Sequence, residues 1–370
     1  MNFNLTEDQE QLRDAIRKWV DRSYTFSRRR AIVSEGGFSR KAYSELAELG
    51  LCGLNIPEHL GGLGMGPVES MVVMEELGRG MVLEPFAHAI IVSTLFTTYA
   101  DSSLQNQWCH KIANGTALVV LAHVERDARY QLDICTAKAS QVGEQWVLNG
   151  AKSLVPAGDQ ADAFIVPALV QGKMALYVTK RKAPGVSVRG YITQDGSRAA
   201  EVTFDHADAE LLTTEGRIAL DCAADTGIAA LCAEAVGVMD QALAVTVDYL
   251  KTRKQFGVEI GNFQALRHRI ADMKMALELA RSMSYYATLK LNASAEDRRR
   301  AVSSAKYQLG TSMRFIGQQA VQLHGGIGLT DEYVVSHFFK KLTQLEMTFG
   351  DSLHHLTEVS ARMQTTAGVI

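Results

Sequence analysis

Apolar residues change their spacing twice along this chain of 370 residues, and that alternation limits the fold more than any single motif does. Near the C-terminus, two long stretches repeat apolar residues at steps of four, three, four and three: Leu266, Ile270, Met273, Leu277 and Ala280 in one, and Leu309, Met313, Ile316, Ala320 and Leu323 in the other. This period is typical of helices that each bury one stripe. The last part of the chain is therefore predicted to be a bundle of long antiparallel helices.

The first third of the chain is also predicted to be helical. Thr6 and Gln9 form a capping-box pattern, and apolar residues at helical spacing follow them. A glycine-rich loop, Gly61–Gly66, interrupts the helices. Because no strand precedes this loop, it is interpreted as a turn rather than as a phosphate-binding loop.

The middle of the chain is predicted to form short strands. Ala117–Ala122 is a short apolar run, and Asn149-Gly150 between two apolar runs predicts a hairpin turn there. A further turn is predicted where Phe164–Val170 and Met174–Thr179 flank Gln171-Gly172-Lys173. Several strands at this spacing indicate a small β-barrel or sandwich.

Charge and cysteine content exclude several classes of protein. The 38 basic and 41 acidic residues give a net charge of -3, so a nucleic-acid partner is not expected. The apolar runs are too short to span a bilayer and the N-terminus lacks an apolar signal region, so we expect a cytoplasmic protein without a membrane partner. The five cysteines are scattered, which predicts reduced thiols and no metal site.

Four stretches, in this order, resemble the signatures of the acyl-CoA dehydrogenase family: Leu51–Glu58 followed by Gly61-Gly62; Trp146–Lys152; Arg253–Gly257 followed by Ile260-Gly261 and Phe263-Gln264; and Gln322–Gly328. The resemblance covers essentially the whole chain. It implies an α+β fold with an N-terminal helical domain (1–118), a middle β-barrel domain (119–215) and a C-terminal four-helix bundle (216–370).

Within that family, the tail resembles one branch. Thr348–Ser352 followed by His354-His355 is similar to bacterial proteins labelled as the small subunit of a pimeloyl-CoA dehydrogenase. The resemblance implies a subunit of an FAD-dependent enzyme that removes two hydrogens from an acyl-CoA, with an electron-transfer flavoprotein as the acceptor. Such chemistry needs a carboxylate base for the α-proton and donors that polarise the thioester carbonyl.

The family resemblance also implies how FAD is shared between subunits. Each subunit holds a flavin ring with its middle and C-terminal domains, and the ADP half of that FAD is held by a neighbour. The residues that match the contacts given to a neighbour are present in this chain, namely Arg253, Gln255, Phe256, Gln322, Gly325 and Gly326. An alternative for Gly325-Gly326 is a helix C-cap.

The contacts that the family uses for a subunit's own flavin ring differ in this chain. Val124-Glu125-Arg126 stands where the family has a Thr-Glu-Pro turn, and Leu154-Val155-Pro156 stands where it has Trp-Ile-Thr. Pro156 has no backbone N–H, so the donor that meets the flavin is lost.

The catalytic base is altered as well. Alignment of the tail places Phe349 where the family's commonest catalytic Glu lies, and a second known position falls near Gly227. Asp351 is the nearest replacement, although Asp before Ser is also a common helix N-cap. Weaker candidates are Glu346, Glu234, His354 and His355.

Four functions remain open from the sequence. The first is a small subunit that lends its FAD contacts to a second acyl-CoA dehydrogenase chain in a heterotetramer. The second is a self-sufficient homotetramer that uses Asp351 as base. The third is a flavin-dependent monooxygenase on the same fold, which needs no α-proton base. The fourth is an acyl-CoA-binding scaffold without turnover.

Overall fold

A computed structural model describes residues 4–366 and shows helices, then strands, then helices along the chain, as predicted. The helices are α1 (Glu7–Ser23), α2 (Phe26–Ser34), α3 (Arg40–Glu48), α4 (Pro67–Arg79), α5 (Phe86–Tyr99), α6 (Ser102–Ala113), α7 (Gly216–Thr252), α8 (Gln264–Leu289), α9 (Ala295–His324), α10 (Val334–Met347) and α11 (Ser352–Thr366). The strands are β1 (Val119–Leu121), β2 (Lys138–Val142), β3 (Gln145–Pro156), β4 (Ala163–Val170), β5 (Lys173–Lys180), β6 (Val186–Ile192), β7 (Arg198–Thr213), β8 (Lys254–Gln255) and β9 (Val258–Glu259).

The chain forms two compact units that interleave along the sequence. One contains the residues up to Arg29, Met71–Val82 and the residues from Ile228 onward. The other contains Arg30–Ser70 and Leu83–Gly227. The domain boundaries at residues 118 and 215 stay a prediction.

The strand-containing unit has the predicted barrel. β4 pairs with β2 and β5, β3 joins β2 to β7, and β7 pairs with β5, so that five strands close into a ring. β1 and β6 extend the sheet on β4 and β7. The turn predicted at Gln171-Gly172-Lys173 is confirmed: Gln171 and Gly172 have the positive φ (51° and 77°) of a two-residue hairpin turn, and Lys173 begins β5.

The hairpin predicted at Asn149-Gly150 is wrong. Both residues lie inside β3, and the chain reverses before it, between Val142 and Gln145. Gly150 marks a register shift against β7, and a Cβ at this position would lie 2.8 Å from the Cα of Ala137. The glycine therefore serves a bulge and a close approach of two backbones, which a local turn pattern does not reveal.

Two predictions for the first third are confirmed. Thr6 and Gln9 form the reciprocal capping box at the start of α1. The glycine-rich loop is a turn, since Gly61 has a φ of 88° and a Cβ at Gly62 would lie 2.0 Å from the carbonyl oxygen of Ile56. Glycine is therefore explained here by backbone geometry alone.

In the helical unit, α9 packs against α8, α10 and α11. The predicted stripe of α9 is fully buried, whereas that of α8 is buried from Met273 onward and only half-buried at Leu266 and Ile270. Among the described residues, α7 alone is long and apolar enough to cross a membrane, and 78% of its most apolar window is buried, as in the core helix of a globular protein.

The segment between β1 and β2 lacks regular structure and is anchored by one buried ion pair. Lys152 Nζ on β3 donates to Glu125 Oε1 at 2.6 Å, and both side chains are at most 5% exposed. The same carboxylate accepts the backbone N–H groups of Thr136 (2.7 Å) and Ala137 (3.2 Å). Burial would raise the pKa of Glu125, but the hydrogen bonds from Lys152 and Thr136 outweigh it and lower the pKa from 4.5 to about 2.

We predict that Lys152→Met lowers the free energy of unfolding by about 3–5 kcal/mol, because the carboxylate of Glu125 is left buried and unpaired. The double variant Glu125→Gln/Lys152→Met should lose less of the free energy of unfolding, since it removes both charges. Because the pKa of Glu125 is depressed, its stabilisation is complete above pH 4.5 and is lost as the pH falls towards 2. Urea unfolding at pH 7 and pH 3 tests both statements; equal losses in the single and double variants would contradict them.

Candidate functional site

A two-stranded hairpin directly after α7 carries the first group of predicted cofactor residues. β8 and β9 pair through Gln255 and Val258, and the turn between them consists of Phe256 and Gly257, with φ of 55° and 79°. The backbone N–H of Ile260 donates to the carbonyl of Arg253 at 2.9 Å, which closes the loop. The hairpin is thus a short, defined projection rather than a random loop.

The tip of this hairpin exposes an aromatic ring. Phe256 is 91% exposed, and its only ring contact within residues 4–366 is an edge-to-face contact with Phe263 at 6.2 Å. Gly257 lies beside it, and a Cβ there would meet nothing within 4 Å. An apolar ring presented in this way is typical of a surface that another molecule covers.

The base of the hairpin carries a charged residue, Arg253. Within the part of the chain that the structure describes, the guanidinium of Arg253 makes no hydrogen bond or ion pair, and the residue is exposed. Gln255 Nε2 donates to the neighbouring carbonyl of Lys254, at 2.8 Å. A free guanidinium offers several donors in a fixed plane, which suits a pyrophosphate.

The second group of predicted cofactor residues lies at the end of α9. Gln322 is exposed on the last turn, and Gly325 ends the helix with φ 64° and ψ -141°, a conformation that belongs to glycine. The C-cap interpretation therefore accounts for Gly325. It does not account for Gly326, whose φ is not positive and where a Cβ would meet nothing within 4 Å. The backbone at Gly326 is open to close approach by a ligand.

Ring stacking connects these two groups. His324, the last residue of α9, stacks on Tyr249 of α7, with ring centroids 4.4 Å apart. The backbone carbonyl of Tyr249 accepts the N–H of Arg253 at 2.8 Å. The sequence motifs contained His324 but gave no sign of its contact with Tyr249, because the two residues are far apart along the chain.

The region expected to hold this chain's own flavin ring is lined by charged side chains. A cavity of about 580 Å³ lies beside the Val124–Arg126 segment and β3, and it is lined by Arg126, Asp127, Arg189 and Glu201. Glu201 accepts hydrogen bonds from Ser153 (2.9 Å), Tyr191 (3.2 Å) and Arg126 (3.4 Å). The aromatic faces of a flavin ring in this cavity would cover Arg126 and Glu201 without replacing the water that hydrates them, which is unfavourable.

The backbone at the end of β3 is also unlike a flavin-binding strand. Leu154 has a φ of 53° and is 55% exposed, and it lies within a register shift between Lys152 and Val155. Pro156 follows and has no N–H to donate. The described residues of this unit thus fit a flavin ring poorly, whereas Arg253, Phe256 and Gly326 fit the nucleotide half of FAD.

The candidate bases are engaged in structural contacts. Asp351 precedes α11, and its Oδ1 accepts the backbone N–H of His354 at 2.8 Å, as a helix N-cap does. Glu346 accepts the N–H and hydroxyl of Ser352 (3.0 and 2.7 Å) and pairs with Arg314 at 3.0 Å. Glu234 forms a buried ion pair with Lys341 at 2.7 Å. The assignment of Asp351 as base stays a prediction.

The turn that carries Phe349 is held rigidly. Lys306 is 1% exposed, and its ammonium donates to the carbonyls of Leu345 (2.5 Å), Glu346 (3.2 Å) and Thr348 (2.8 Å). His355 Nε2 donates to the carbonyl of Phe349 at 3.1 Å. Burial lowers the pKa of His355 to about 2, so the ring is neutral at pH 7. A ring with so low a pKa is too weak a base to take an α-proton at neutral pH.

Comparison with known proteins agrees with the family resemblance of the four sequence motifs. Residues 6–116 match the model of the acyl-CoA dehydrogenase N-terminal domain, and residues 223–364 match that of the acyl-CoA dehydrogenase C-terminal domain. Acyl-CoA dehydrogenase FadE12 of Mycobacterium tuberculosis is 30% identical over 360 residues, which cover 90% of each chain. Glutaryl-CoA dehydrogenase of Desulfococcus multivorans is 27% identical over 374 residues, 95% of each chain.

A solved structure gives the same answer for the fold. The structure of a variant of the Tcur3481-Tcur3483 steroid ACAD has a TM-score of 0.90 and 26% identity, and the match covers 98% of this chain and 99% of the solved chain. The order predicted from the sequence, helices, then a barrel, then helices, is the order in the structure, and the solved relative matches it over 98% of this chain. The chain belongs to the acyl-CoA dehydrogenase family of FAD-dependent oxidoreductases.

Proposed function

We propose that this chain is the FAD-lending small subunit of a heteromeric acyl-CoA dehydrogenase. One observation carries the proposal: Arg253 and Phe256, predicted to contact the nucleotide half of FAD, are exposed, the backbone at Gly326 is open, and position 349 holds a hydrocarbon ring. A second acyl-CoA dehydrogenase chain supplies the contacts to the flavin ring and the carboxylate base. FAD supplies the hydride-accepting chemistry when it is bound.

The chain's own residues bind and orient the cofactor in this proposal. The guanidinium of Arg253 neutralises the pyrophosphate with charge-assisted hydrogen bonds. Phe256 covers an apolar face of the nucleotide and loses its exposure to water. Gly326 lets the backbone approach the ligand where any side chain would keep it away. None of these roles requires a base in this chain.

The substrate in this proposal is an acyl-CoA, dehydrogenated between its α and β carbons. The resemblance of the tail to small subunits of pimeloyl-CoA dehydrogenases favours a dicarboxyl acyl group, and the name of the relative that acts on glutaryl-CoA agrees with it. The name of the solved steroid ACAD favours a steroid-derived acyl group instead, and it joins two designations, as a heteromer would. An electron-transfer flavoprotein is the proposed acceptor, and the cytoplasm the proposed location.

A second candidate function keeps this chain self-sufficient as a homotetramer. Asp351 favours it, because this carboxylate lies two residues after Phe349 on the turn that Lys306 holds. Its present role as an N-cap of α11 speaks against it, since a base has to be free to accept the α-proton.

We predict that Arg253→Ala weakens FAD binding in the co-purified pair of unlike chains by about tenfold to a hundredfold, as expected when charge-assisted bonds to phosphate are lost. Arg253→Lys should weaken FAD binding less than Arg253→Ala does, because lysine keeps the charge but lacks the planar guanidinium. FAD retention after gel filtration, read from the flavin absorbance, measures both. Arg300→Ala, at the charged start of α9, is the control. Equal retention of FAD in Arg253→Ala and Arg300→Ala would contradict the proposal.

Asp351→Asn separates the two candidate functions. Asparagine caps a helix about as well as aspartate but accepts no proton, so the lending function predicts unchanged turnover of the pair. The self-sufficient function predicts a loss of about a hundredfold or more. Steady-state reduction of an artificial electron acceptor by acyl-CoA distinguishes the two, with thermal unfolding of both proteins as the check on α11.

A further inference from the structure

His324 is enclosed by aromatic rings from two other segments. Its ring stacks on Tyr249 near the end of α7, with an interplanar angle of 28° and centroids 4.4 Å apart. On another side it meets Tyr333, the residue before α10, at 5.3 Å and 48°. His324 itself is 3% exposed. The three rings therefore join the end of α7, the end of α9 and the start of α10.

The polar atoms of His324 make a single hydrogen bond within residues 4–366, and that bond stays inside α9. Nδ1 donates to the carbonyl of Ala320 one turn earlier in α9, at 2.8 Å. Nε2 is buried and has no hydrogen-bond partner within residues 4–366. Burial lowers the pKa of His324, and a neutral ring has no N–H at Nε2 that would need an acceptor. The ring thus behaves as an aromatic group with one internal hydrogen bond.

The stack lies directly before both groups of predicted nucleotide contacts. The carbonyl of Tyr249 accepts the backbone N–H of Arg253 in the last turn of α7, so the stacked tyrosine lies one helical turn before the point where the β8–β9 hairpin leaves α7. His324 precedes Gly325 and Gly326 directly. A Cβ at Gly328 would lie 3.0 Å from the Cβ of His324, so the turn after α9 also packs on this residue. A shift of one ring would move one nucleotide contact relative to the other.

We propose that His324 is a positioning residue, whose stack on Tyr249 and Tyr333 keeps Arg253 and the Gly325-Gly326 backbone in register for the nucleotide half of FAD. This inference rests on the proposed lending function and deepens it. His324 touches no cofactor atom in this proposal; it fixes the spacing of two segments that do. An aromatic ring is required at position 324, and its nitrogen atoms are not.

Two substitutions separate these requirements. His324→Leu keeps a buried apolar side chain and removes the ring, and it should weaken binding of ADP to the co-purified pair of unlike chains, freed of FAD, about tenfold, since two aromatic contacts are lost. His324→Phe keeps the ring and removes both nitrogens, and the affinity of this pair for ADP should stay within about twofold of that of the unmodified pair. Isothermal titration calorimetry with ADP as the probe measures both affinities. Urea unfolding shows whether either variant is simply less folded.

Three further proteins complete the experiment. His59→Ala changes an exposed histidine in the other unit and should leave ADP binding unaltered. Arg253→Ala tests the lending function alone: if it weakens ADP binding while His324→Leu does not, only the positioning role is overturned. If the unmodified pair does not bind ADP, both proposals fail. Equal weakening by His324→Phe and His324→Leu would also overturn the positioning role, because the nitrogens would then be the groups that matter.

Discussion

Phe256 holds an aromatic ring almost wholly in water on a two-residue turn, and beside it Arg253 carries a charge that no described residue neutralises. Neither feature lowers the free energy of the isolated chain. Exposed aromatic surface is unfavourable, and a hairpin of two-residue strands gains little stability from its own hydrogen bonds. Both are accounted for when a nucleotide and a second subunit cover the hairpin, which is the constraint on which our account of function depends.

The two predicted parts of the FAD site differ in how well the residues of this chain suit them. The surface predicted to meet the nucleotide half of FAD has an exposed arginine, an exposed aromatic ring and an open glycine. The region expected to meet a flavin ring has instead a cavity of paired charges around Glu201 and a proline at the end of β3. The turn expected to carry the base is still fixed by Lys306, yet it presents Phe349. In our proposal this turn keeps its packing without a carboxylate at position 349, as expected of a subunit that assembles with an active one.

Local patterns predicted local structure well. The capping box at Thr6, the turn at Gln171-Gly172 and the buried stripe of α9 follow from neighbours within a few residues, and the four family signatures predicted the fold. The failures share a cause. Gly150 is required by its close approach to Ala137 on an adjacent segment. Glu125 is paired with Lys152, 27 residues away, and His324 stacks on Tyr249 of another helix. No period or turn signal in the sequence encodes such contacts, and so the ion pair and the ring stack appeared only in the structure.

The most direct test of the central claim is the FAD content per chain. It is measured on the protein purified alone and after co-purification with a second acyl-CoA dehydrogenase chain from the same organism. Our account predicts a protein that is nearly free of flavin alone and a single FAD for each pair of unlike chains, since each chain supplies half of the contacts. A full complement of FAD on the chain alone, bleached by an acyl-CoA, would contradict the account.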